Sequence, residues 1–512
     1  MPQRSLLPVS LLAFLLLPCT VCFSSSSDRI HHDTYEAARV TKATHGHDAA
    51  MPLYRQILCE HPDDLTVASR LSAASGELFK CWQRGPVLHD DGSLGTMREW
   101  FQQSNYTAAA VKATLQITEP HARAPIYITP ASPGSCHSVP FETNRLSSHQ
   151  LLVSLFLLGL AIPATRVSKE AEQQLEHLQT VGLIGRCEVD STLWVPLVSI
   201  LPLDMEDGTT LLIATDWHPQ VLNTIHIAKN DQRQPVMYIG PDSLALVQHF
   251  ILDAAACQLQ YKRALDVCTG SGIQALAFVQ PHPHRTAVVA DINPRALQFT
   301  RFNAAFNDLS DQIEDYVLVD LVDDIAADRE LLRFGPFDLV LANPPFLPVP
   351  PSCLDRHGLF SGGGETGEVV LASILRICPQ LLRYDGVLAV VSEFFLGDNN
   401  DSVGLLRRCQ TYWGEQGGGS QGLLLINEKP IGRAEYARRR GDAAVWTQHL
   451  EEQEIFACSP GLLYVRLLSD DAPSNWEYVL VPNSKANGSI WTPWNHHAVA
   501  FTRSTSSQYF RW

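Results

Sequence analysis

Phe337-Asp338-Leu339-Val340-Leu341-Ala342-Asn343-Pro344-Pro345-Phe346 takes an apolar strand straight into two prolines and an aromatic ring. Each proline fixes φ and removes a ladder donor, so the chain must leave the sheet stiffly at this point. Asn343 and the carbonyl of Pro344 are then presented at the carboxyl end of the strand, where open α/β sheets place their ligands. Phe346 follows at once and can cover a flat substrate. One amide, one fixed carbonyl and one ring make a clamp for a planar group that carries N–H. The plain alternative is a rigid strand exit with no chemistry.

Upstream, Asp266-Val267-Cys268-Thr269-Gly270-Ser271-Gly272 ends a strand in a glycine-containing turn before a helix, which offers backbone N–H groups and close approach to a ligand. Asp291 stands nineteen positions beyond Gly272, at the end of the next strand, the spacing at which an acid takes the two ribose hydroxyls of an adenosine-containing cofactor. A cap for the helix that begins near Pro294 is the competing reading of Asp291. Asp320, after a third strand, reads equally as a turn residue or as the partner of an adenine amino group.

From residue 263 the chain alternates strands (264–268, 286–291, 316–319, 338–342, 386–392) with helices (273–279, 295–307, 365–382). That alternation predicts an α/β fold, a Rossmann-like doubly wound, mostly parallel sheet. Ahead of it, helices are expected over 96–117, 147–158 and 166–180. Two β-rich runs, 193–203 and 210–215, follow with Asp207-Gly208 as the turn between them. Helices followed by a hairpin predict a winged-helix-like module, read here as a docking platform because no basic recognition helix is present. The apolar helix at 151–162 is too short for a membrane span and is stopped by Pro163.

Asp266, Gly270, Gly272, Asp291, Asp320 and Asn343 all fall at strand ends, in order. The pattern resembles the class I S-adenosylmethionine-dependent methyltransferases, and Asn343-Pro344-Pro345-Phe346 narrows the resemblance to their amino-methylating, HemK-like branch. Gly240-Pro241-Asp242-Ser243 is similar to the segment that precedes the cofactor loop in these enzymes. One departure is Cys268, where the family has its first glycine. The resemblance implies S-adenosyl-L-methionine as cofactor, held by Asp266, Cys268, Thr269, Gly270, Gly272, Asp291, Ile292, Asp320 and Asn343. It also implies catalysis by Asn343, Pro344, Pro345 and Phe346, with no metal. The expected partner is a macromolecule: a glutamine side-chain amide in a translation factor, or the exocyclic amine of a base in rRNA or another nucleic acid. A catalytically silent binding scaffold is the alternative from another class.

Composition frames this reading. The 512 residues exceed one core and divide into a signal-like leader (1–22), a transit-like or poorly determined extension (23–94), the helical and winged-helix-like domain (95–235), the cofactor domain (236–396) and a carboxyl-terminal extension that completes or flanks it (397–512). Acidic residues outnumber basic ones 54 to 38, a net charge of −16, which is a poor global match to a polyanion. Arg433, Arg438, Arg439 and Arg440 form the densest basic cluster, either a solvated helix face or an RNA contact. Ser361-Gly362-Gly363-Gly364-Glu365 reads equally as a mobile lid or the start of a long helix. The 12 cysteines show no zinc spacing in the body and read as free thiols. Arg4, the leucine-rich run 6–17, Thr20 and Cys22 have the layout of a signal peptide, and Phe23 with Ser24 to Ser27 follows. Together they resemble the bipartite plastid leaders of algae with secondary plastids; secretion and a membrane anchor are the alternatives. No stable membrane association of the mature form is expected.

Overall fold

The computed structural model describes residues 85–88, 93–115, 145–217 (161, 187–190 and 206 apart), 235–247 and 261–481 (415–418 and 441 apart), with the single position 37. The leader-like segment, most of the transit-like segment, the proline-rich stretch 124–141 and the tryptophan-containing tail lie outside the described residues.

The large sheet contains β6 (Arg263–Val267), β7 (Thr286–Asp291), β8 (Ile313–Leu318), β9 (Phe337–Ala342), β10 (Leu382–Leu396), β11 (Ser420–Asn427), β13 (Ala457–Leu467) and β14 (Asn475–Val481). Their spatial order is β14-β11-β13-β10-β9-β6-β7-β8, and the short β12 (Ile431–Gly432) pairs with β13. All neighbours from β10 to β8 are parallel, β13 runs antiparallel to both β10 and β11, and β14 is parallel to β11. The sheet is therefore completed by strands well beyond residue 396. On β9, Leu339 and Leu341 enter one core while Val340 and Ala342 enter the other. Burial on both faces is why the run is apolar without alternation.

The helices divide between the two faces. α6 (Ile273–Val279) and α7 (Pro294–Phe306) supply Phe278, Phe299, Phe302 and Phe306 to the first core. α9 (Val369–Leu381) and α10 (Ser402–Trp413), with α8 (Asp324–Leu331), supply Leu375, Leu405 and Leu331 to the second. The chain builds β6, β7 and β8 outward in one direction, then crosses back to lay β9 on the other side of β6. Val267 and Ala342 are register partners. Cys268 and Asn343 thus leave the sheet side by side at the switch point, where the crevice of such a sheet opens.

The preceding module comprises α1 (Ser93–Gln103), α2 (Ala108–Thr114), α3 (Ser148–Phe156), α4 (Lys169–Thr180) and a small sheet of β1 (Ile162–Pro163), β2 (Ile184–Arg186) and β3 (Leu193–Pro196) in the order β1-β3-β2. Ser147 and Gln150 close a capping box at the start of α3. Among the described residues no helix is long and apolar enough to cross a membrane. The helical pattern expected over 96–117 is two helices, parted at Ser104–Thr107, and the run 193–203 is not one strand. Its first half pairs with β1 and β2. The second half is β4 (Ser199–Asp204), which pairs with β5 (Thr210–Thr215). The run is buried on both sides of the break, so its hydropathy carries no mark of the change of partner.

β5 has a free edge, and α7 satisfies it with side chains. Asn307 Oδ1 accepts from Leu212 N at 2.8 Å and its Nδ2 donates to Leu212 O at 2.9 Å. One turn earlier, Asn303 does the same with Ala214 N and O at 2.8 Å each. The two carboxamides act as substitute peptides and cover the edge. Beside them Arg295 makes a two-pronged bond to Asp216 at 2.8 and 2.5 Å, with both side chains almost wholly buried. The first module is thereby fixed to the helix that follows the second strand of the cofactor domain.

Candidate active site

β6 turns into α6 through residues in the left-handed region: Cys268 at φ 58°, Gly270 at 57° and Gly272 at 82°. A Cβ on Gly272 would lie 2.6 Å from Thr300 Cγ2, so glycine is required there both by conformation and by close packing. A Cβ on Gly270 would meet nothing within 4 Å, which leaves the crevice side of the loop open. Thr300 Oγ1 donates to Gly270 O at 3.0 Å and Asn303 Nδ2 to Ser271 O at 2.8 Å. The asparagine that holds β5 therefore also holds this loop.

Asp266 is buried at the end of β6. Its Oδ2 accepts from Thr269 Oγ1 at 2.7 Å and from Ala275 N at 3.1 Å, while Oδ1 has no partner among the described residues. Burial pushes its carboxyl up to about 7, against the downward pull of those two hydrogen bonds. Asp291 accepts from Gly270 N through Oδ2 and from Asn293 N through Oδ1, both at 2.9 Å, and burial pushes it up to about 6. The cap of α7 is Asn293, whose side chain accepts from Arg295 N, so Asp291 is not the helix cap. Ile292 is 45% exposed beside it. Asp320 lies exposed just past β8, and its Oδ1 accepts from Val322 N at 2.9 Å, which realises the turn role.

Cys268 pays a conformational penalty that glycine would not. A side chain in the left-handed region costs roughly 1–2 kcal/mol, partly offset by the entropy a glycine loses on folding. Cys268→Gly is expected to stabilise the fold by about 0.5 kcal/mol and raise the thermal midpoint slightly. A lower midpoint would show that thiol packing outweighs strain. The thiol is no nucleophile here, because burial and the carboxylates of Asp291, Asp266 and Asp320 push it far up.

At the end of β9, Asn343 Nδ2 donates to Asp242 Oδ2 at 3.3 Å and to Ser243 Oγ at 3.4 Å. Both acceptors belong to α5 (Pro241–Leu246), which Gly240 caps. Asn343 Oδ1 is buried with no hydrogen-bond partner among the described residues. Pro344 is buried and Pro345 partly so. Phe346 packs against a third cluster that includes Phe395, Tyr436 and Trp446.

The glycine-rich segment after the clamp does not start the long helix; it lies hydrogen-bonded against the clamp. Leu347 N donates to Ser361 O at 2.8 Å, Gly363 N to Leu347 O at 2.9 Å and Val349 N to Gly364 O at 3.2 Å. A Cβ on Gly363 would come within 2.8 Å of Phe346 Cα and Pro345 O, and one on Gly367 within 2.4 Å of Phe346 O. These glycines let a backbone brace lie directly on the clamp. The brace is pinned by Glu368, which receives Arg408 at 2.9 and 3.2 Å and Tyr412 Oη at 2.8 Å. α9 begins only at Val369.

Each arginine of the cluster has a carboxylate partner in place, with Glu435 serving two of the four. On α11 (Arg433–Arg438) and just past it, Arg438 and Arg439 both pair with Glu435. Arg433 pairs at 3.1 Å with Glu451 of α12 (Ala443–Glu452), and Arg440 at 3.3 Å with Glu393 on β10. Tyr436 Oη also donates to Glu393, at 2.7 Å. Burial, and then the nearby charge of Glu393, raise the Asp242 carboxyl above its ordinary value. Among the described residues no group of three or more His, Cys, Asp or Glu side chains could hold a metal.

Residues 241–413 match the family model described as methyltransferase small domain. The chain is similar to the release factor glutamine methyltransferase of Mycolicibacterium smegmatis, 32% identical over 25% of this chain and 44% of that protein. It is 31% identical to a ribosomal protein uL3 glutamine methyltransferase of Bradyrhizobium diazoefficiens, over 30% of this chain and 48% of the relative. It is 30% identical to a tRNA1(Val) (adenine(37)-N6)-methyltransferase of Porphyromonas gingivalis, over 32% of this chain and 61% of the relative. The chain thus spans about half the length of these curated relatives. S-adenosyl-L-methionine fits the residues present: an open loop at Gly270, an acceptor carboxylate at Asp291, an apolar side chain at Ile292, and a bare buried oxygen on Asp266 that an ammonium would satisfy. A doubly wound sheet, this cradle and an asparagine-proline-proline clamp at its switch point place residues 241–413 in the class I S-adenosylmethionine-dependent methyltransferases, in the HemK-like branch.

Proposed function

We propose that the chain methylates a planar nitrogen of a macromolecule, and that this nitrogen is the side-chain amide of a glutamine in a translation (release) factor. The observation that carries the proposal is the bare, buried Asn343 Oδ1 beside the strand exit of Pro344. An amide nitrogen is a poor nucleophile because its lone pair is delocalised. Asn343 Oδ1 and the Pro344 carbonyl accept its two N–H bonds and favour a pyramidal nitrogen. These acceptors gain strength as positive charge develops on nitrogen, so they stabilise the transition state more than the ground state. Phe346 lies against the flat face of the amide. Bound S-adenosyl-L-methionine supplies a methyl made electrophilic by a sulfonium. Transfer of that methyl would exchange the S–C bond for an N–C bond, and the amide proton would leave the nitrogen for solvent. Asp291 would hold the two ribose hydroxyls, Ile292 and Asp320 would flank the adenine, and the turn from Cys268 through Thr269 and Gly270 to Gly272 would line the rest.

A protein substrate is favoured by charge. Asp242 sits beside the clamp, and of the arginines in the densest basic cluster Arg438 and Arg439 share Glu435 while Arg440 is spent on Glu393, which leaves little free positive charge for a phosphate. Phe346 favours the second reading, a base amine, because it offers a stacking face. Labelled methyl transferred into cell extract, followed by RNase or protease, separates the two. Label that survives RNase and is lost with protease is expected; the opposite result would establish the base as substrate.

A further inference from the structure

Asn343 must face its substrate with oxygen, not nitrogen, and the two ends of a carboxamide have nearly the same shape. Something has to hold it the right way round. On the protein side the amide group has two polar contacts among the described residues, both through Nδ2, which lies 3.3 Å from Asp242 Oδ2 and 3.4 Å from Ser243 Oγ. A carboxylate has lone pairs and no hydrogen, so only the NH2 end can be accepted there. The reversed amide would set Oδ1 against a negative oxygen and leave Nδ2 pointing at the N–H groups of the incoming amide. Both contacts would repel. The bonds are long, and burial on the protein side gives them more weight than they would have in water.

We infer that Asp242 is a positioning residue: its carboxylate takes the Nδ2 hydrogen of Asn343 and thereby turns Oδ1 toward the nitrogen to be methylated. The inference rests on the function proposed above and deepens it, because it gives that site a proton-dependent switch. When Asp242 is protonated it becomes a donor as well as an acceptor, and the reversed amide is no longer excluded. Its carboxyl is raised above its ordinary value because burial, and then the like charge of Glu393, disfavour the ionised form, against hydrogen bonds from Ser243 N and Asn343. Among the described residues the ionisable groups around it are few. α5 packs on β10 and on α6; Glu393 is the charge facing it from β10, and Ile273–Val279 carries no ionisable side chain. Glu393 is in turn held by Tyr436 and Arg440.

The sign follows. Asn343 is correctly set above the raised Asp242 value, and the order is lost as pH falls through it. The first test needs no substrate. In protein labelled with nitrogen-15 on asparagine, the side-chain amide of Asn343, identified by its absence in Asn343→Ala, is expected to titrate with a midpoint above the ordinary aspartate value. In Asp242→Asn it should no longer do so. An Asn343 signal that is flat from pH 4 to 8, or one that still titrates in Asp242→Asn, overturns the inference. The second test is kinetic. Asp242→Ala is expected to lower kcat about 10–100-fold with the cofactor dissociation constant within about twofold. Asp242→Asn should lose the acid limb of the wild-type kcat profile. Cofactor binding that weakens as much as kcat falls, or a kcat that does not change, overturns the positioning role. Wild-type protein that methylates neither protein nor RNA would sink the proposed function, and the titration of Asn343 would still decide the orientation.

Discussion

Asn343→Ala should lower kcat by roughly 10²–10³-fold or more while the dissociation constant for S-adenosyl-L-methionine stays within about twofold. The lower bound is what removing one preorganised partner of a developing charge costs in other enzymes. The asparagine does more than that, because it sets both charge and geometry: without Oδ1 the nitrogen keeps one acceptor, the Pro344 carbonyl, and can rotate about it. The stability cost should be small. Asn343 makes two long hydrogen bonds to α5, and its substrate-side oxygen makes none among the described residues, so folding gains little from it. Single-turnover transfer with saturating cofactor, paired with thermal unfolding, separates these effects. A variant with normal turnover would refute the clamp mechanism. One with weakened cofactor binding and unchanged single-turnover rate would move Asn343 from the substrate to the cofactor.

The legible parts of this chain are those where one physical demand leaves a local trace. β9 is apolar without alternation because both faces are covered, and the prolines after it mark the point where pairing stops. Gly272 had to be glycine because Thr300 leaves no room for a Cβ. The arginine cluster leaves a trace too: Glu435 precedes Arg438 and Arg439 by three and four positions, the spacing of helical ion pairs, and both pairs form. Other features leave no such trace. A glycine run reads as freedom, whereas Gly363 and Gly367 are small so that backbone can touch backbone at Phe346. Asn303 and Asn307 look like ordinary helix-surface amides until β5 is placed against them, some ninety positions away in the chain. Glu393 and Asp242 meet for the same reason. Contacts set by the fold alone are invisible to pattern, and the substrate side of this site is made largely of them.

Asp291→Ala should raise the dissociation constant for S-adenosyl-L-methionine by roughly 10²–10³-fold, the loss of two hydrogen bonds to a charged group at about 1.5–3 kcal/mol each less some compensation by water. Two effects combine in that number. The carboxylate would take the ribose hydroxyls, and it already receives Gly270 N and Asn293 N at 2.9 Å, so alanine also leaves two backbone donors of the loop without their acceptor. Both depend on the ionised carboxylate, so both should follow pH. In the free protein Asp291 is pushed up to about 6 and Asp266 to about 7, and hydroxyl and ammonium donors bind the ionised forms. Cofactor affinity should therefore be full above about 7 and fall as pH drops through the two values. Calorimetric titration with S-adenosyl-L-methionine between pH 5 and 8 should show this fall in wild type and lose the part near 6 in Asp291→Asn, whose neutral amide keeps the shape but accepts with one oxygen only. Affinity that is flat with pH and survives Asp291→Ala would remove the ribose from Asp291 and overturn the cofactor cradle as drawn.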